Sequence, residues 1–220
     1  MPAGDRLFEL LHGCSDDELF IVWASDLGQK PNDFKDLSHA EQVDVVSAEI
    51  RSVAGHTLDN LRRGNHDLGW RSVLDGVFKV LAEGVDGAPK VDHDTDVLDL
   101  ERQVVRIADV RVAEAWAQLS EDDRVALMTE IEGASDFERD AIHGTPHPSW
   151  QRLAKPGVAV GALGVLLNGI GLFAVPVVVV GVPALAIRQA KKLLQPSFKK
   201  LVPAVLHLLH FNKVDPKAAP

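Results

Sequence analysis

The chain holds a single cysteine, Cys14, among 220 residues. An intramolecular disulfide framework is therefore excluded, and a reducing compartment is the natural setting. No phosphate-binding GxxxxGK[ST] loop occurs, and no serine or cysteine stands beside a base in a recognisable nucleophile motif. Strict alternation of apolar and polar residues, the mark of a half-buried strand, is missing throughout. No internal repeat is visible. The opening residues 1–11 are too polar and acidic for a secretory signal, so the expectation for residues 1–150 is a cytoplasmic location.

The most telling absence is of charge. Between Lys155 and Arg188 lie 32 residues without one charged side chain, and Asn168 is their only strongly polar residue. About 18 consecutive apolar residues suffice to propose a membrane-spanning helix. As one helix the run would measure about 48 Å, too long for a hydrocarbon core of about 30 Å, yet it is short for two full spans. Asn168-Gly169 and Pro176 offer places to bend, so the expectation is a tightly turned helical hairpin. Gly157 and Gly161 form GxxxG, and Gly169 falls on the same face; small residues there let helices approach closely. Arg152 and Lys155 before the run, and Arg188, Lys191 and Lys192 after it, suit a hairpin whose ends face one anionic, cytoplasmic surface.

What is present elsewhere is acid and helical periodicity. Residues 1–150 carry 14 Lys and Arg against 31 Asp and Glu, whereas residues 151–220 carry nine against one. The acidic part argues against nucleic-acid binding, because phosphate contacts require clustered Lys and Arg. The basic, apolar part suits a lipid surface, or attraction to the acidic part within one fold. Ser15 with Glu18 and Ser38 with Glu41 spell capping boxes. Leu19, Trp23 and Leu27 follow the first; Val43, Val46, Ile50 and Val53 follow the second. Trp70, Val73, Leu74, Val77 and Leu81 make another stripe ended by Gly84, and a longer helix is predicted over 95–119. Breaks are expected at 28–32, 55–57, 84–90 and 133–135.

The reading is all-α: an acidic helical domain over 1–150, an apolar hairpin and amphipathic helix over 151–211, and a disordered tail over 212–220. The last helix carries a stripe of Phe198, Leu201, Val202, Val205, Leu208 and Leu209, with Lys199 and Lys200 opposite and a kink expected at Pro203. His143 and His147 have metal-like spacing but sit in a Pro/Gly loop without further ligands. His207 and His210 read as wet or capping residues. Asp92, His93 and Asp94, and the acids at 121–123, read as solvated turns and helix starts. Gly169 and Gly171 imitate a dinucleotide fingerprint whose ribose-binding acid is replaced by Lys191 and Lys192, so no cofactor is expected.

One polar cluster stands out: Glu49, Asn60 and Arg63, spaced to lock a turn between two helices through a buried ion pair. With its flanks it carries a family resemblance. Asp5-x-Leu7-Phe8-x-Leu10-Leu11-x-x-Cys14-Ser15-x-x-Glu18-Leu19 opens the match, Glu49…Gly55…Asn60…Arg63-Gly64 continues it, and Leu201-Val202-Pro203-Ala204-Val205-Leu206 closes it. In order and spacing these islands resemble the YaaW-like family of bacterial proteins, grouped with the ubiquinol–cytochrome c chaperone domain. The aromatic expected soon after Gly64 appears as Trp70 instead of tyrosine, with about one residue inserted, which puts Asp75 out of register. The resemblance implies an α-helical protein and, by family name, help in assembling membrane complexes.

Three functions follow as expectations. The first is a non-enzymatic, membrane-associated assembly factor whose acidic domain binds a protein partner at the inner face of the membrane. The second is a pore-forming or membrane-disrupting effector that hides its apolar hairpin in a soluble bundle. The third is a soluble helical homo-oligomer with the hairpin as its core. No catalytic, cofactor or metal residue is assigned.

Overall fold

Capping side chains decide where the first helices begin. The computed structural model describes residues 5–55, 68–122, 124–125 and 197–215. Asp5 accepts from the Leu7 amide at 3.2 Å and starts α1, Arg6–His12. Ser15 and Glu18 close the expected capping box on α2, Asp16–Phe20, with the Ser15 amide donating to Glu18 at 2.7 Å. Ser38 and Glu41 do the same for α3, His39–Ala54, at 2.8 Å. Each box satisfies two amide donors that a helix start leaves open.

Two longer helices follow. α4, Trp70–Ala82, buries Trp70, Val73, Leu74, Val77, Phe78 and Leu81. Its C-terminus is capped from another helix: the Arg111 guanidinium donates to the carbonyls of Leu81, at 2.7 Å, and Glu83. Gly84 then turns the chain at φ +76°, a backbone state that costs a Cβ-bearing residue energy. α5, Val97–Gln118, is capped by Asp96. The expected solvated turn before it is real: Asp92 accepts from the Asp94 amide and the Thr95 hydroxyl at the surface.

α6, Phe198–Phe211, is the hub. It contacts α3, α4, α5, α1 and the turn that follows α2. The sequence predicted an amphipathic helix that lies on a membrane or a partner, within a segment 151–211 that inserts into a membrane or a core; the structure shows no exposed interfacial face. Instead, every residue from Leu201 to Leu209 is buried. The helix has no polar face along this stretch because Pro203, Ala204 and Leu206 complete the apolar circumference, and such a helix belongs in a core. Burying each Leu or Val there contributes about 1.5–3 kcal/mol. Residues 198–211, expected to go with the apolar segment, therefore share one apolar core with α1 to α5. The helix runs through Pro203 without a break.

Polar links hold α6 at both ends. The Ser197 amide donates to the Val53 carbonyl of α3 at 3.1 Å. At the far end the Asn212 side chain donates to Leu10 of α1 at 3.0 Å and to Leu208 at 2.9 Å. This closeness requires Gly13, since a Cβ there would lie 2.6 Å from the Asn212 side-chain oxygen. The described residues form no strand, so the all-α expectation holds. The predicted hairpin over 156–187 and the tail beyond 215 lie outside the described residues.

Candidate functional site

The third link to α6 is a buried acid–base pair. α2 does not end at Phe20; it widens into a π-helical segment, Ile21–Asp26, in which the Leu27 amide reaches back to the Val22 carbonyl at 3.0 Å. Such segments are rare and recur at functional sites. Trp23 anchors the widened turn by stacking on Phe34 at 5.4 Å and donating its indole N–H to the Lys30 carbonyl at 3.1 Å. The last residue of the segment, Asp26, points into the core.

There Asp26 Oδ2 lies 2.7 Å from His207 Nδ1 of α6, with side-chain exposures of 0% and 7%. The other carboxylate oxygen, Oδ1, is buried without a hydrogen-bond partner. Phe211 stacks on the imidazole, 5.5 Å away and 8° from parallel. Burial pushes the Asp26 carboxyl above its ordinary range, and the hydrogen bond and charge of His207 pull it back in part. A carboxylate that keeps one partner for two oxygens pays a desolvation penalty. One proton shared between oxygen and nitrogen relieves it, whichever atom carries the proton. The pair can bind and release that proton. Cys14 is buried apart from it, its thiol pushed up to about 12 chiefly by burial and bonded to the Leu10 carbonyl at 3.3 Å. Among the described residues no group of three metal-ligating side chains occurs.

His207 is thus neither wet nor a cap, contrary to the expectation from sequence, because it lies in a buried stretch, Leu201–Leu209, that is otherwise apolar. A signal for the pair did exist. Asp26 falls seven residues after Leu19 and four after Val22, on the buried face of the helix, and His207 is the only polar residue from Leu201 to Leu209.

Of the residues singled out from sequence, Glu49 sits on α3 and accepts from Gln29 at 2.6 Å. Asn60 and Arg63 lie outside the described residues, and so do Gly157, Gly161, Gly169, Arg152, Lys155, Arg188, Lys191, Lys192, His143 and His147. Lys199 is exposed and Lys200 half-buried on the first turn of α6, with Lys200 reaching over Gly28. A shallow open groove of about 560 Å³ runs beside that turn, lined by Gly76, Val80, Ala82 and Phe198 with Lys79 and Glu83 at its edge.

A second buried carboxylate has both its oxygens satisfied. Glu101 of α5 is 1% exposed and accepts from Trp70 Nε1 at 2.9 Å and from Arg6 at 3.1 and 3.2 Å. Next to it Arg51 pairs with Asp5, donates to Ser47 at 3.3 Å and covers the Phe8 ring at 5.5 Å. These groups are satisfied and fasten α1 to α3 and α5.

Comparison with protein-family models, curated proteins and solved structures finds no match. Among the described residues no helix is long and apolar enough to cross a membrane.

Proposed function

We propose that the chain is a non-enzymatic, membrane-associating protein: an acidic helical bundle that presents the apolar segment 156–187 to a lipid surface and offers its own surface to a protein partner. The observation that carries this reading is the 32-residue uncharged run with basic residues at both flanks. Water is a poor lasting neighbour for such a run, and each flanking Lys or Arg adds roughly 1 kcal/mol of attraction to anionic headgroups. The place of α6 supports it. The segment leads through 188–196 into a helix fixed in the core, so lipid engagement is transmitted to the whole bundle. An assembly factor, as the family resemblance suggests, needs this combination of anchor and acidic docking body.

The test is flotation of the full chain with vesicles of phosphatidylcholine alone or with 30% phosphatidylserine, at low and high salt. Anionic vesicles should retain the protein, and K191E/K192E should weaken retention by about 30-fold or more, since the two lysines alone contribute about 2 kcal/mol. Equal failure to float with both vesicles refutes the reading.

A second reading is favoured by the same burial of α6. An effector would keep its apolar segment shielded until the helix that carries it is released. Release of a dye trapped in anionic vesicles distinguishes it, since an assembly factor leaves the vesicles sealed.

A further inference from the structure

Among the described residues, the Asp26–His207 pair is the contact through which a titration can reach the middle of α6. Several charged groups on the helices packed against α6 have their own partners. Arg51 of α3 is held by Asp5 and Ser47, and Glu49 of α3 by Gln29. Glu101 of α5 is held by Arg6 and Trp70, and Arg111 of α5 by Leu81, Glu83 and Glu114. Glu18 of α2 closes its capping box, Lys79 of α4 pairs with Asp75, and Arg6 of α1 also reaches Glu9. On α6 itself Lys200 lies over Gly28, His210 tilts against Phe211, and at the far end the Cys14 thiol of the α1–α2 turn lies 3.7 Å from Asn212. Burial first and His207 second set the balance at Asp26.

We propose that Asp26 and His207 form a proton-binding clamp, which grips α6 while the pair carries one proton and slackens when that proton leaves. With one proton the buried pair is neutral overall. Without it the pair carries a net negative charge in a site where Oδ1 already lacks a partner. The direction follows from linkage. In the unfolded chain an ordinary carboxyl and imidazole, at about 3.9 and about 6.5, together hold one proton between those values and none above them. In the clamp the folded pair keeps its proton where the unfolded chain has released its own, so stability falls as pH rises. The raised carboxyl of Asp26 agrees in sign: stability from such a group is present below its ordinary value and lost as pH rises through the folded one.

The clamp holds the helix through which the apolar segment joins the core, so rising pH would loosen the anchor. That consequence rests on the membrane-associating reading; the clamp does not. Hydrogen exchange of the full chain, in peptides covering 198–211 and corrected for intrinsic rates, tests it without lipid. Between pH 6.5 and 8.5 the opening constant of α6 should rise, by up to about tenfold per pH unit for one proton. Asp26→Asn should remove that rise. An equal rise in wild type and variant overturns the clamp. Should Asp26→Asn fail to fold, carbon NMR of the wild type decides: Asp26 Cγ and His207 Cε1 should sense the same titration steps, and two independent midpoints overturn the proposal. A clamp that behaves as stated in a protein that ignores vesicles would remove the membrane reading alone.

Discussion

Among the described residues two carboxylates are buried, and they have been provided for very differently. Glu101 faces three N–H donors, from Trp70 and twice from Arg6, and both its oxygens are used. Asp26 faces one imidazole nitrogen and keeps an oxygen without a partner. Both tie distant helices together, and both cost desolvation. The first is a fastening, since its charge is compensated at any pH where Arg6 is charged. The second depends on a single mobile proton. Incomplete satisfaction, not burial alone, separates a site that can respond from one that only holds.

The sharpest way to break the comparison is to remove each acid. Glu101→Ala strands the Trp70 N–H in the core and leaves Arg6 without its chelating partner, and should lower unfolding stability by about 3 kcal/mol in urea titrations. Asp26→Ala removes a carboxyl with one hydrogen bond for its two oxygens, and should cost less, about 2 kcal/mol at pH 7. An Asp26→Ala loss that exceeds that of Glu101→Ala would invert the argument.

A smaller effect is kinetic. Cys14 is buried and its thiol is pushed up to about 12, chiefly by burial. At pH 7.5 a thiol reagent should label it only when the α1–α6 contact opens, so that native protein reacts orders of magnitude more slowly than protein in urea. Fast labelling of the folded chain would show that the Asn212 end of α6 is not closed.

The smallest effect has the opposite pH sign to the clamp. The Glu41 carboxyl is held below its ordinary 4.5 by the hydroxyl and amide of Ser38. A lowered carboxyl stabilises above its ordinary value, and that contribution is lost as pH falls through the folded one. Acid unfolding of Ser38→Ala should therefore show a shallower slope below pH 4.5 than wild type. Identical slopes would mean that the box does not set the acid limb.

The elements whose causes are local were legible in the sequence. The capping boxes of Ser15 and Ser38 start α2 and α3 where expected, the α4 stripe from Trp70 to Leu81 is buried as read, and α5 departs from the predicted 95–119 by only a residue or two. The setting of α6 was not legible. Its stripe matched an interfacial helix, and only the helices around it reveal that the opposite side is covered as well. The site was harder still. Asp26 and His207 are 181 positions apart, and no local period announces the π-helical widening that carries Asp26 inward. Each residue was nonetheless conspicuous as a polar intruder in an apolar run. Such intruders, paired across the chain, are the trace that a buried site leaves in a sequence. Of the cluster expected at Glu49, Asn60 and Arg63, only the first falls within the described residues, where Gln29 holds it.

The amide link from Ser197 to the end of α3 gives the molecule a mechanical direction. Any pull arriving along the preceding residues meets that link first, at the tip of α6, and then loads the helix from its first turn onward. The buried contacts from Leu201 onward lie behind that link, so opening it is the first step in any release of α6 from its leading end.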